Sequence, residues 1–70
     1  MAANTTVTKT ESVAKTGYTP LMASVTDNSD GYVAVQGCKI SGNNAVVKIR
    51  NLNAVSINLT YDITVIYKKA

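Results

Sequence analysis

Seventy residues carry one Cys, no His, no Trp and no Phe, and seven basic against four acidic side chains leave a net charge of +3. That length holds one domain, and a domain so small buries only about 60% of its unfolded surface. A single thiol closes no intrachain disulfide, and four carboxylates without any imidazole argue against a zinc or redox-metal site. What remains is a small non-catalytic domain that needs no cofactor and is expected to stabilise itself by association.

Val, Ile, Thr and Tyr supply 27 of the 70 residues, the types that suit a pleated, half-buried surface. Ser, Thr and Asn supply 21, a hydroxyl- and amide-rich polar surface of the kind found on rigid extracellular or virion β-proteins. The cations Lys9, Lys15, Lys39, Lys48, Arg50, Lys68 and Lys69 are dispersed, so they read as solubility charge and no nucleic-acid partner is expected. The start MAANTTVTKT lacks the apolar stretch of a signal peptide, and nothing approaches the roughly 18 apolar residues of a membrane span. Synthesis in a cytoplasm and no membrane partner are the corresponding expectations.

In chain order, Thr5 to Ala14 alternates weakly through Val7 and Val13, and residues 1–14 read as an N-terminal arm or an edge strand. Residues 15–70 read as a β-sandwich module. Lys15 to Thr19 connects to a strand over Leu21–Thr26, which Pro20 begins. Asp27-Asn28-Ser29-Asp30-Gly31 is the longest turn cluster. Tyr32 to Gln36 is a strand, with Gly37 marking a bulge or kink, and Cys38-Lys39-Ile40 is a short strand after it. Ser41-Gly42-Asn43-Asn44 is a hairpin turn. Ala45 to Asn51 directs Val47 and Ile49 to one face and Val46, Lys48 and Arg50 to the other, and Asn51 to Ala54 turns into the last strand. From Ser56 to Lys68, Ile57, Leu59, Tyr61, Ile63, Val65 and Tyr67 occupy alternate positions, broken only by Ile66. The sum is an all-β fold of five to six short antiparallel strands, a small sandwich or barrel.

Chemistry-bearing residues are few. Cys38 has no base and sits within a strand, the setting of a structural thiol. Asp27 and Asp30 lie in a turn, where Asx turn-forming roles explain them better than paired acid–base catalysis. An oxygen-rich turn ending in Gly31 suits a hard cation, but Thr26 stands where the first Asp of a calcium loop belongs, so no metal is expected. The sequons at Asn4 and Asn58 read as chance matches in an Asn/Thr-rich chain. Tyr61, Ile63, Val65, Ile66 and Tyr67 are the expected oligomer interface, because burying them against symmetry mates would hide both faces of the last strand. Tyr18, Tyr32, Asp27 and Asp30 flank turns and are the candidate ligand-binding residues.

Gly17-Tyr18-Thr19-Pro20-Leu21, then Ile40-Ser41-Gly42-Asn43-Asn44, then Ala45 to Asn51, and finally Ile63-Thr64-Val65-Ile66-Tyr67 form an ordered set. This set resembles bacteriophage fibre and appendage β-modules, and the likeness runs roughly from Lys15 to Lys68. The resemblance implies a β-sandwich, usually homotrimeric, that ends a head or tail fibre or decorates a virion. Its partners would be other capsid or tail proteins, with residues 1–14 as the virion-attachment segment that the resemblance implies. Such modules usually follow a long shaft, whereas about fourteen residues precede the module here, which favours capsid decoration. A tail appendage that binds a receptor or glycan on the host cell surface is the alternative.

Overall fold

β-branched side chains at period two favour extended backbone, and the computed structural model, which describes residues 1–70, contains five strands and no helix. These are β1 (Thr6–Ser12), β2 (Tyr18–Asp27), β3 (Val33–Ser41), β4 (Asn44–Asn51) and β5 (Tyr61–Lys69). All ladders are antiparallel, in a three-stranded sheet β1-β4-β3 and a two-stranded ribbon β2-β5. β2 also runs beside β3 without a ladder between them.

β4 is the only strand paired on both sides, and its alternation decides where the core lies. Ala45, Val47, Ile49 and Asn51 on one face are fully buried, while Lys48 on the other is exposed. Full burial of Val47 and Ile49 is worth about 1.5–3 kcal/mol each. Register places Val7 and Val35 opposite Ile49, and Lys9 and Cys38 opposite Val47. Cys38 is half-buried there.

Turns follow local chemistry. Gly42 at φ 59° starts the two-residue loop between β3 and β4, where Ser41 pairs with Asn44, as a II′ hairpin turn requires. Gly37 marks a bulge, with the register shifting between Val35 and Gly37, so residues 33–41 are one continuous strand rather than two. A second bulge, between Pro20 and Met22, leaves Leu21 unpaired and 55% exposed. The last strand is shorter than its alternation suggests. It begins at Tyr61 rather than Ser56, because the residues before it bond elsewhere than in a ladder: Ile57 exchanges bonds with the Met1 backbone, Asn58 N donates to Asp30 Oδ1, and Thr60 N to Ser29 Oγ.

The chain is elongated, 45 × 17 × 14 Å, with a radius of gyration of 13.3 Å. A compact chain of this length would have about 11 Å. Strands of this length span only about 25–33 Å, so the ribbon and the sheet are staggered along the long axis. The Tyr67 hydroxyl donates to Val13 O (2.6 Å), and Val13 N donates to Asn43 O at the hairpin tip (2.9 Å). Tyr67 therefore marks the end of the sheet, and Lys68, Lys69, Tyr18 and Thr19 overhang it.

Candidate functional site

β5 presents Tyr61, Ile63, Val65 and Tyr67 on its inward row, all half-buried, and Asp62, Thr64, Ile66 and Lys68 on its outward row, all exposed. Four of the five side chains expected at an oligomer interface therefore face the chain's own interior. Ile66 alone points out, at 53% exposure, paired with exposed Met22 of β2 and close to Leu21. Met22 and Ile66 form an apolar pair on the outside of the ribbon.

The two tyrosines of the inward row bridge the open side between β5 and β1. The Tyr61 hydroxyl donates to Glu11 Oε1 at 3.0 Å, and the Tyr67 hydroxyl reaches Val13 O. Partial burial, followed by the hydrogen bond and negative charge of Glu11, raises the Tyr61 pKa above its ordinary value. Glu11, Leu59, Thr60, Tyr61 and Ile63 line a shallow groove at this opening. Beyond it, Lys15 Nζ lies 4.5 Å from the centre of the Tyr18 ring and 5.5 Å from that of Tyr67, and the two rings meet edge to face at 6.2 Å. Such cation–π contacts contribute about 0.5–1 kcal/mol at exposed sites.

The four candidate ligand-binding residues do not converge. Tyr18 is at one end of β2, whereas Asp27 is at the other, roughly 30 Å away. Asp27 Oδ1 accepts the amide of Ser29 (2.8 Å) and Asp30 Oδ1 that of Asn58 (3.1 Å), so both carboxylates organise the turn. Asn28 Nδ2 donates to Asp62 Oδ2 (2.7 Å). Tyr32 stands 81% exposed at this end, near exposed Leu52 and Val55.

Asn51 and Asn53 hold that end together. Asn51 is fully buried: its Nδ2 donates to the carbonyls of Met1, Ala2 and Val55, and its Oδ1 accepts both nitrogens of Asn53. Asn53 in turn exchanges bonds with the backbone of Tyr32. By local pattern Asn53 reads as a turn residue, and Asn51 as the last strand residue and the first of the turn. The available signal was parity, since Asn51 continues the buried row Ala45, Val47, Ile49.

Charge is distributed end to end along the ribbon. Its register places Lys68 and Lys69 beside Thr19 and Tyr18, close to Lys15, and Asp27 and Asp62 at the opposite end, next to Asp30. No protein-family model matches the chain, and no curated protein or solved structure matches it either.

Proposed function

We propose that the protein is a non-enzymatic structural module that works as a homo-oligomer on a phage virion, decorating the capsid or ending a fibre. The observation that carries self-association is the thinness of the core. Only Pro20, Ala45, Val47, Ile49 and Ile57 are buried apolar residues, while Leu21, Met22, Leu52, Val55 and Ile66 are each more than half exposed. Four of the five strands are sheet edges, and an isolated two-stranded ribbon is marginal in water. The virion placement rests on the ordered motifs between Lys15 and Lys68, and three copies are what that resemblance implies. Light scattering on a sizing column at micromolar concentration tests association; a 7.4 kDa monomer would refute it. Purified particles from cells expressing the chain should carry it, and particles lacking it would refute the placement.

A second reading, recognition of a host receptor or glycan, draws on the exposed Tyr32 held in place by Asn53. Binding to a glycan array that survives Tyr32→Ala would remove this reading.

A further inference from the structure

The open edge of β5 is the surface that best fits a partner of defined chemistry, namely a second copy of itself. Ladder geometry shows which groups are free. Asn28 N donates to Thr60 O at one end of the ribbon (2.8 Å), and Ala70 N donates to Gly17 O at the other (2.9 Å). In an antiparallel pair the amide and carbonyl of successive residues point alternately to the two sides. Even-numbered residues of β5 therefore turn theirs toward β2. Tyr61, Ile63, Val65, Tyr67 and Lys69 turn theirs to the open edge, where no strand is paired.

We propose that two copies join edge to edge through β5, antiparallel, with Val65 on the two-fold axis. The proposal rests on the self-association reading above and specifies its geometry. With Val65 opposite Val65 of the second copy, every free backbone group of the strand finds a partner. Ile63 lies opposite Tyr67 of the second copy, and Tyr61 opposite Lys69. On the outward row, Asp62 falls opposite Lys68 of the second copy, and the symmetry repeats each contact. Opposite charges and apolar–aromatic pairs in direct register are the combinations that stabilise antiparallel strands. The ribbon becomes a four-stranded sheet, β2-β5-β5-β2, with Ile66 brought beside Thr64 of the second copy.

Stagger makes room for this arrangement. Each β5 overhangs its own three-stranded sheet at Lys68 and Lys69, and reversing the strand direction sets that overhang beside the second copy's Tyr61 and Asp62. Most of each three-stranded sheet then lies on its own side of the axis, since each ends level with Tyr67. Other edges suit self-pairing less well. β2 and β3 carry bulges and lie beside each other, and β1 paired about its middle residue would set Lys9 against Lys9.

The test is a charge swap on the full chain, read by light scattering on a sizing column across a dilution series. Wild type should have the mass of two 7.4 kDa chains. Asp62→Lys or Lys68→Asp alone replaces two attractive pairs by repulsive ones and should weaken the dimer about tenfold or more, whereas the double variant should recover most of the loss. As a check on register, Val65→Cys in a Cys38→Ser background should oxidise to a linked dimer, because directly opposed bonded residues have Cα atoms about 5.5 Å apart, within disulfide reach. A dimer indifferent to the charge swap overturns the β5 register. A mass of three chains overturns two-fold pairing while leaving self-association standing, and a monomer overturns both.

Discussion

Replacing Asn51 by Ala should remove about a third or more of the stability of this domain. The side chain is fully buried, with its amide shared among three carbonyls at 3.1–3.3 Å and its oxygen accepting two bonds of 2.8 Å from Asn53. Ala leaves the Asn53 amide and the carbonyls of Ala2 and Val55 without that partner. Each bond contributes about 1 kcal/mol net, and each polar group stranded in the interior costs about 1–3 kcal/mol. The expected loss is about 3–4 kcal/mol, against a total of about 3.5–10 kcal/mol for a chain of this length. Urea unfolding followed by far-UV circular dichroism, at fixed protein concentration because association adds apparent stability, should show a sharply lowered midpoint with an unchanged slope. Asn51→Asp provides the control. It keeps the acceptor but buries a charge in place of the donors, so it should be at least as damaging at neutral pH and recover partly on acidification. A loss below about 1 kcal/mol for Asn51→Ala would refute the view that this side chain ties the N-terminal residues to the 51–57 loop.

Gly31→Ala should cost about 1–3 kcal/mol in the same assay, because the added methyl would lie 2.8 Å from Asn53 Nδ2 and 2.9 Å from Ile57 Cγ2; an unchanged midpoint would contradict that packing. The raised pKa of Tyr61 means the folded state favours the neutral phenol. Its contribution is complete below the unfolded pKa of about 10 and is lost as pH rises through the folded value, and Tyr61→Phe should flatten that part of the alkaline stability profile. Deleting residues 1–14 removes β1, one of the two strands paired to β4, so the truncated chain should lose its cooperative unfolding transition; a well-dispersed amide spectrum from residues 15–70 would show otherwise. Lys15→Ala should destabilise by only about 0.5–1 kcal/mol while changing the near-UV signal of Tyr18 and Tyr67.

Strand identity was legible because period-two alternation is a local property. The inward row Tyr61, Ile63, Val65, Tyr67, the row Val47, Ile49 and the turn at Gly42 can all be read from a few neighbouring residues. Strand limits were less legible, since Ile57 and Leu59 alternate as well as Ile63 does. What ends the ladder before Tyr61 is a set of side-chain bonds from Ser29 and Asp30, about thirty positions away in sequence. The candidate ligand-binding residues fared differently. Glycines beside Tyr18 and Tyr32 suggested exposure, which both show, but not that β2 would separate them by its whole length. Asn51, which fills the interior, and Asn53, which tethers Tyr32, share the parity of Val47 and Ile49; only Asn51 still lies within the alternating stretch of β4.

The lysines at one end of the ribbon and the aspartates at the other are roughly 30 Å apart, several times the screening length of about 8 Å at physiological salt. Each end therefore acts on its surroundings as a separate charge, scarcely aware of the other. A single chain approaches a negatively charged support tip first, through Lys15, Lys68 and Lys69, with its aspartates outward. Antiparallel pairing through β5 sets lysines beside aspartates at both ends, so assembly would erase that preferred orientation.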